Sequence, residues 1–272
     1  MNLDETSLPL SRRHVLVAAG SAVLALTSGT RARAAEIVER QDLVKAFQAE
    51  GVIGTFALFD PSTDRLTIVD AKRAAARYVP ASTFKITNSL IALEVGVVKD
   101  ANEVIPYGGK PQDIKSWEKD MSMRDAIPIS NVPIYQELAR RIGLERYSMW
   151  LTKLDYGNRE MGTGLERFWL DGPLAISAIE QSRFVARLGQ SKLPMSERSQ
   201  EIVRDILKLE SKDGRTLHGK TGWAQKIGWW VGWVDDRGKV TSFALNMDMP
   251  TAQDAPKRVA IAKTLLGQLG VL

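Results

Sequence analysis

Two residues with complementary chemistry, Ser82 and Lys85, stand three positions apart at the start of an apolar helical pattern. At this spacing both side chains lie on the same face of a helix, one turn apart. A serine at a helix N-terminus sits where free backbone N–H groups favour developing negative charge. Apolar neighbours disfavour a charged ammonium, so Lys85 could act as a base for the serine. An ordinary N-cap serine followed by a solvated lysine would have the same sequence pattern.

Two further segments carry side chains that could complete such a site. Residues 130–132, Ser-Asn-Val, stand in a predicted loop just before a helix, and residues 220–222, Lys-Thr-Gly, end a predicted strand. A strand bearing Lys and Thr could bind a substrate carboxylate while its backbone donates hydrogen bonds. Taken alone, the first segment could be a helix cap and the second a strand end. A second S-x-x-K, at residues 116–119, lies in a charged stretch that offers no desolvation.

The composition restricts the chemistry that the chain can perform. Its 272 residues include no cysteine and two histidines, His14 and His218. The lack of cysteine excludes thiol nucleophiles, disulfides and Cys-ligated metals, and so few histidines predict no metal site. A base, if there is one, is therefore expected to be a lysine or a carboxylate. The net charge of +5 is spread over alternating charges, which predicts no nucleic-acid partner.

The first 34 residues have the pattern of an export signal. Arg12 and Arg13 precede an apolar run from Val15 to Leu26, and a small-x-small site ends at Ala34. This order is typical of a secretory signal peptide, and the run is too short to span a bilayer. The paired arginines also resemble a twin-arginine signal, although ordinary signals carry such pairs too. We expect a mature protein from Ala35 onward, soluble, off the membrane, and in a periplasm or outside the cell.

The elements that must position these residues follow from the hydrophobic periodicity. A helix is predicted over residues 36–50 and a hairpin of two strands over 52–59 and 66–69. A mostly helical block follows, with its clearest helices at 82–97, 133–142, 147–154, 178–188 and 196–209. Strands return at 215–220, 228–234 and 240–247 before a final helix at about 256–269. The order predicts an α+β fold, with an antiparallel sheet flanked by helices and a helical lobe inserted, as one domain over residues 35–272.

The three motifs occur in the order S-x-x-K, S-N-V and K-T-G. Tyr156-Gly157-Asn158, the stretch 168–172 (Phe-Trp-Leu-Asp-Gly) and the stretch 226–233 (Lys-Ile-Gly-Trp-Trp-Val-Gly-Trp) accompany them. Together they closely resemble the class D (oxacillinase-type) serine β-lactamases of the penicillin-recognising acyl-transferase superfamily. The resemblance covers essentially the whole mature chain and implies a β-lactamase/transpeptidase-like fold. A class A enzyme would instead show S-D-N and a glutamate base.

The resemblance implies a role for each motif residue. Ser82 would be the acylated nucleophile, and Lys85 would carry a carbamate formed with carbon dioxide or bicarbonate (N6-carboxylysine) and serve as general base. Only a neutral amine reacts with carbon dioxide, so apolar surroundings should favour the modification. The indole N–H of Trp169 would stabilise the carbamate. Ser130 would relay a proton to the leaving nitrogen, with Lys220 keeping that network polarised.

The resemblance also implies a substrate-binding set and an oxyanion hole. Backbone N–H groups of Ser82 and Trp223 would form the oxyanion hole. The implied substrate-binding residues are Trp117, Val132, Leu170, Thr221, Gly222, Trp223 and Arg258. Thr221 and Arg258 would contact the substrate carboxylate, and Trp117 would cap the pocket mouth. Carbon dioxide apart, no cofactor is implied, and the expected partners are small-molecule β-lactams.

Several alternatives remain at the level of sequence. A β-lactam sensor domain would acylate without efficient turnover, a transpeptidase or carboxypeptidase would share the motifs, and an exported binding module could keep the scaffold. The sequence leaves monomer and homodimer open.

His218 stands two residues before Lys220 on the same strand face, where we expect packing or a substrate-edge role and no catalysis. Only five residues separate Gly222 from Gly228, which suggests altered cephalosporin or carbapenem preference.

Overall fold

The computed structural model describes residues 36–272. The predicted export signal, residues 1–34 with His14, lies outside the described residues. Within the described part of the chain, no helix is both long and apolar enough to cross a bilayer.

Strands from both ends of the described chain combine into one sheet. Its strands are β1 (Glu36–Glu39), β2 (Gly54–Asp60), β3 (Arg65–Val69), β4 (Lys208–Lys212), β5 (Arg215–Ala224), β6 (Ile227–Asp236) and β7 (Lys239–Asp248). The spatial order is β1-β3-β2-β7-β6-β5-β4. All neighbours are antiparallel except β1 and β3, which run parallel. The sheet is therefore mixed, which corrects the wholly antiparallel prediction.

The helices of the described residues lie in three places along the chain: before β2, between β3 and β4, and after β7. They are α1 (Lys45–Ala49), α2 (Ala71–Ala75), α3 (Lys85–Glu94), α4 (Met123–Ala126), α5 (Val132–Ile142), α6 (Leu144–Leu154), α7 (Ala178–Gly189), α8 (Glu197–Ile206) and α9 (Ala255–Gln268). Most of them stand between β3 and β4 in sequence, so the α+β class and the inserted helical block are confirmed. The helix predicted over residues 36–50 is wrong in its first part, because residues 36–39 pair with β3 as an edge strand.

The two faces of the sheet bury different helices. Along β6, Trp229 belongs to the core that contains α3, α5 and α6, whereas the next residue, Trp230, belongs to the core that contains α9. This alternation is the period-two pattern of a strand that is buried on both faces. The inserted helices therefore cover one face, and α1 and α9 cover the other. Strand β5 lies next to the outer edge, where both helical layers can reach it.

Strand β5 turns directly into β6. The pairing of Ala224 with Ile227 leaves only Gln225 and Lys226 in the turn, and their φ angles are 49° and 61°. Two successive residues at positive φ form the type I′ turn that suits a two-residue hairpin. Both strands consequently extend further toward the turn than the sequence predicts.

Candidate active site

Ser82 and Lys85 occupy the junction between a 3-10 turn, Ala81–Phe84, and helix α3. Lys85 is the first residue of the helix, and its Nζ lies 2.9 Å from Ser82 Oγ. Ser82 is 8% exposed and Lys85 only 1% exposed. The pair therefore has the contact expected of a nucleophile and its base, with the serine slightly exposed and the lysine fully buried.

The surroundings of Lys85 are apolar and aromatic. Phe84 stacks on Trp169 with 5.6 Å between ring centroids, and the Tyr135 ring centroid lies 5.2 Å from Lys85 Nζ. Burial lowers the pKa of Lys85 from 10.5 to about 7, because the charged amine is taken out of water. Among the described residues, no carboxylate forms an ion pair with Lys85. The free amine is consequently available in its neutral form near neutral pH.

Strand β5 lies directly against the serine turn because residue 222 is a glycine. A Cβ at Gly222 would approach Pro80 O and Thr83 N to 3.1 Å each. Any side chain here would press on the backbone that carries Ser82. The Lys-Thr-Gly motif therefore includes a glycine for a steric reason: it permits the close approach of the strand to the nucleophile.

Lys220 and Ser130 are in contact although they lie far apart in the chain. Lys220 Nζ donates hydrogen bonds to Ser130 Oγ and, at 2.9 Å, to the backbone oxygen of Thr221. Lys220 is 5% exposed, and its pKa lies well below the usual value because of burial and, secondarily, the positive charges of Lys85 and Arg258. Two lysines thus share one poorly solvated pocket, which disfavours their being charged together.

Ser130 is held in an uncommon backbone conformation, with φ of 55°. The next residue, Asn131, is the N-cap of α5 through its contact with Ile134 N, and its Nδ2 donates to Trp117 O at 3.2 Å. Left-handed non-glycine residues persist where their surroundings fix them, and they cluster at functional sites. The cap and the Trp117 contact provide such a constraint, so Ser130 projects toward Lys220 from a fixed loop.

Residues 158–175 form a wall that packs against the serine turn. Trp169 is fully buried, and its backbone oxygen accepts from Ala81 N at 2.8 Å, which joins this wall to the serine turn. Its indole Nε1 is buried without a hydrogen-bond partner. Asn158 fixes the ends of the wall through Pro173 O at 2.8 Å and Ala175 N at 2.9 Å. Asn158 thus has a positioning role that the sequence pattern does not reveal.

Within the described residues, the pairing of β5 with β4 ends at His218, so from Gly219 onward one side of β5 has no strand partner. Gly219 N donates to Leu207 O on the outer side of the strand. Because outward-pointing groups recur at every second residue of an antiparallel strand, Thr221 and Trp223 direct their backbone groups to the same edge. The N–H of Trp223 therefore points to the same side of the strand as the N–H of Gly219. The Trp223 side chain is 44% exposed, with the indole bonded to Met249 O at 2.9 Å.

The remaining predicted site residues are partly exposed, and two of them have hydrogen bonds close to the motif residues. Arg258 of α9 donates through Nη1 to Gly222 O at 2.7 Å, which brings its guanidinium beside the Lys-Thr-Gly motif. Trp117 donates from its indole to Ile129 O at 3.0 Å, just before Ser130. Val132 and Leu170 are half-buried. Each of these side chains therefore keeps some exposed surface at the mouth.

His218 lies on the same face of β5 as Lys220 but outside the polar network. Its ring stacks on Trp233 with 4.5 Å between centroids. Burial, followed by the charge of Arg204, lowers its pKa from 6.5 to about 4. A neutral imidazole packed on an indole is consistent with the expected packing role. Tyr135 was not predicted from the sequence; only its place on the buried face of α5 could have indicated it.

The arrangement can perform acyl transfer. Lys85 can accept the Ser82 proton, backbone N–H groups can stabilise an oxyanion, and Ser130 can pass a proton onward under the influence of Lys220. In residues 36–272 no cluster of carboxylates and histidine suitable for a metal ion occurs.

Comparison with known proteins decides the family. Residues 22–267 match the family model described as penicillin binding protein transpeptidase domain. The β-lactamase OXA-48 of Klebsiella pneumoniae is 42% identical over 258 residues, which are 93% of this chain and 97% of that protein. OXA-10 of Pseudomonas aeruginosa is 38% identical over 92% of this chain and 96% of its own length. The chain belongs to the class D β-lactamases.

Solved structures support the same assignment for this class D enzyme. The class D β-lactamase FUS-1 (OXA-85) of Fusobacterium nucleatum subsp. polymorphum superposes with a TM-score of 0.83 and 43% identity. The match covers 86% of this chain and 99% of that one. The class D β-lactamase YbXI of Nostoc gives a TM-score of 0.82 with 36% identity, over 86% of this chain and 100% of that one. The recognition of a class D serine β-lactamase from the motifs is therefore confirmed.

Proposed function

We propose that this class D β-lactamase hydrolyses β-lactam antibiotics through an acyl-enzyme on Ser82. The observation that carries the proposal is the 2.9 Å contact between Ser82 Oγ and the Nζ of a lysine that is 1% exposed. Burial places the pKa of that lysine at about 7, so it can accept a proton at neutral pH. The matched relatives are named as β-lactamases, which fits this chemistry.

Acylation uses groups on three elements. Ser82 would attack the lactam carbonyl as Lys85 takes its proton, while the N–H groups of Ser82 and Trp223 stabilise the oxyanion. Opening of the ring requires a proton on the lactam nitrogen, and Ser130 would deliver it. Lys220 donates to the Ser130 hydroxyl and would replace the proton that Ser130 gives to the nitrogen, and the proton that Lys85 took from Ser82 would in turn restore Lys220. The scheme leaves an ester on Ser82 and a neutral amine where the amide was.

The pocket of Lys85 fits a carbamate on that lysine. It lacks a carboxylate partner among the described residues, the amine has a pKa of about 7, and Trp169 Nε1 is a buried donor without an acceptor. Only the neutral amine can react with carbon dioxide, and a buried orphan donor is costly unless something accepts from it. Trp169 and Ser82 would hold the group. When bound, it would supply an oxygen basic enough to activate the water that releases the product.

Substrate recognition would involve the residues at the rim. The carboxylate of a β-lactam would contact the Thr221 hydroxyl and the guanidinium of Arg258, which is oriented by its bond to Gly222 O. Trp117, Val132 and Leu170 would line the mouth with apolar surface, where the side chain attached to the lactam ring is expected. The two-residue turn after β5 would leave this side of the mouth open, so we expect an altered preference among cephalosporins and carbapenems.

Turnover distinguishes the proposal from its rivals. We expect sustained hydrolysis of a panel of penicillins, cephalosporins and carbapenems, abolished in Ser82→Ala. The second S-x-x-K supplies a matched control, Ser116→Ala, because Ser116 is exposed and should leave turnover intact. One stoichiometric burst without further turnover would instead identify a sensor or transpeptidase. No acylation at all would support a binding module.

The carbamate has a separate test. Bicarbonate should raise the rate of the wild-type enzyme and have no effect on Lys85→Ala, while Lys119→Ala serves as the control in the other S-x-x-K. Carbon-13 NMR with labelled bicarbonate should show a carbamate signal that Lys85→Ala lacks. Full deacylation by Lys85→Ala would show that another group is the base.

Export of the enzyme is part of the proposal. The N-terminal pattern of residues 1–34 supports secretion to a periplasm or the medium, where β-lactams would be met. Cell fractionation with mass spectrometry of the mature N-terminus would test cleavage before Ala35. Gel filtration of the mature protein would decide between monomer and homodimer.

A further inference from the structure

The chain just before Ser82 has an uncommon backbone conformation. Ala81 is fully buried, and its φ angle is 52°. A left-handed non-glycine residue persists only where its surroundings fix it. Here Ala81 N donates to Trp169 O at 2.8 Å, and Thr83 N donates to Pro80 O at 3.2 Å. The N–H of Ser82 lies between these two bonded groups, so its direction depends on how the serine turn is held.

The side chain of Thr83 bonds back to the start of this turn. Its hydroxyl Oγ1 lies 2.6 Å from Pro80 O and 2.8 Å from Gln181 Nε2. A carbonyl oxygen can only accept, so the hydroxyl must give its single hydrogen to Pro80 O. The contact with Gln181 then needs a donor, which the amide N–H supplies. The two bonds therefore run in one direction, from Gln181 through Thr83 to Pro80.

Gln181 stands on a helix that is attached to the serine segment. It lies near the start of α7 and is 1% exposed. Just before α7, Ile176 pairs with Tyr78 through two backbone hydrogen bonds of 3.0 and 2.9 Å. Arg77 adds an ion pair to Glu180 of the same helix. The Gln181 amide is therefore supplied by an element that is bonded at two points to the chain leading into the serine turn.

A second glutamine of equal burial has a different set of contacts. Gln200 of α8 is also 1% exposed. Its Nε2 donates to Leu193 O at 3.2 Å and to Met195 O at 3.1 Å, and its Oε1 accepts from Leu193 N at 3.0 Å. These contacts fix the loop before α8. Gln200 is therefore a matched comparison for Gln181, whose contact is with the turn that carries the nucleophile.

We propose that Gln181 is a positioning residue for the Ser82 nucleophile in acylation. By donating to Thr83, its amide directs the Thr83 hydroxyl to Pro80 O, and this bond holds the serine turn in the conformation that acylation needs. The inference rests on the proposed hydrolysis through Ser82 and adds a residue that the motifs do not include. An ionised carboxylate of the same shape at position 181 would accept from Thr83 and take the hydrogen away from Pro80 O. The direction of the hydrogen bond, and not the volume of the side chain, is therefore the property that matters.

Gln181→Glu tests this direction. We expect its acylation rate constant with a penicillin, measured by stopped-flow, to fall by about tenfold at pH 9, less than the loss of about 10²- to 10³-fold that follows removal of an oxyanion donor. Burial raises the pKa of a carboxyl group, and the protonated group can donate as the amide does. The ratio of the variant's rate constant to that of the wild type should therefore return to within about threefold of one as the pH falls to 5.

Two comparisons separate positioning from a loss of folding. Gln200→Glu makes the same change at the other buried glutamine and should keep a ratio near one at every pH. Thr83→Val removes the hydroxyl and should lower the rate constant at every pH, whereas Thr83→Ser should recover most of the loss. The rate constant does not depend on the folded fraction, and the two Thr83 variants decide the outcome if Gln181→Glu does not fold.

A rate constant of Gln181→Glu within about threefold of the wild type at pH 9, or a loss of the same size at every pH, would overturn the positioning role while leaving the hydrolysis in place. The same pH-dependent ratio in Gln200→Glu would also overturn it, as would an unchanged rate constant in Thr83→Val. Failure of the wild type to acylate would instead overturn the proposed function, and the inference with it.

Discussion

The burial of Lys85 should lower the free energy of unfolding of the enzyme, because its charged form is taken out of water. The free amine has a pKa of about 7 in the fold, against 10.5 for an ordinary solvated lysine. Between these values the unfolded chain binds more protons, so stability rises with pH across this window, and the full penalty is present below it. At about 1.4 kcal/mol per pKa unit, the penalty is about 4 kcal/mol at pH 7 and about 2 kcal/mol at pH 9.

Replacing Lys85 with methionine keeps the volume and removes the penalty. Lys85→Met should therefore raise the free energy of unfolding, and the gain should fall by about 2 kcal/mol between pH 7 and pH 9. Loss of the contact with Ser82 reduces the stability gain equally at pH 7 and at pH 9. The difference between the gains at the two pH values is therefore unchanged. Urea unfolding of both proteins in carbon-dioxide-free buffer measures this difference.

A control variant and a second measurement, with added bicarbonate, show whether the stability change comes from Lys85. Lys153→Met, at an exposed position of α6, measures the effect of removing a surface lysine. Added bicarbonate should stabilise the wild type, because a group that binds the folded state shifts the equilibrium, and should leave Lys85→Met unchanged. A stability gain of equal size at pH 7 and pH 9 would refute the titration of Lys85 in this window.

Three further predictions concern the groups around the serine. Trp169→Phe keeps the stacking on Phe84 but removes the buried N–H, so the carbamate signal in carbon-13 NMR should weaken and more bicarbonate should be needed for full rate. Ser130→Ala should lower the acylation rate in stopped-flow by about 10²- to 10⁴-fold, the range of lost proton transfer; a rate within threefold of wild type would contradict the relay. Arg258→Ala should reduce kcat/KM by about tenfold or more for substrates with a free carboxylate and little for their methyl esters. An equal loss of kcat/KM for the free carboxylates and for their methyl esters would indicate that Arg258 has a structural role.

The motif residues could be predicted from the sequence because each is fixed by local chemistry. The i, i+3 spacing of Ser82 and Lys85 already implied their contact. The meeting of Ser130 with Lys220 could be expected only by resemblance, since it joins residues far apart in the chain. Tyr135 was missed because an aromatic residue on the buried face of a helix looks like ordinary core.

The edges of the sheet could not be predicted from periodicity. Residues 36–39 were assigned to a helix, and β4, residues 208–212, was partly assigned to the end of a helix. Both segments are short and largely exposed, and their strand conformation comes from hydrogen bonds to β3 and β5. Edge strands of this kind are defined by their partners, so their own sequence carries little signal.

The turn formed by Gln225 and Lys226 gives this enzyme scope for evolutionary change. Lengthening a hairpin loop costs only about 0.6 kcal/mol for each doubling, because closure entropy grows slowly with length. Insertions here would leave the pairing of β5 with β6 and the placement of Ser82 untouched. The tip of the hairpin is therefore a position where the rim of the cleft can be remodelled at little cost in stability, while the catalytic residues stay under separate selection.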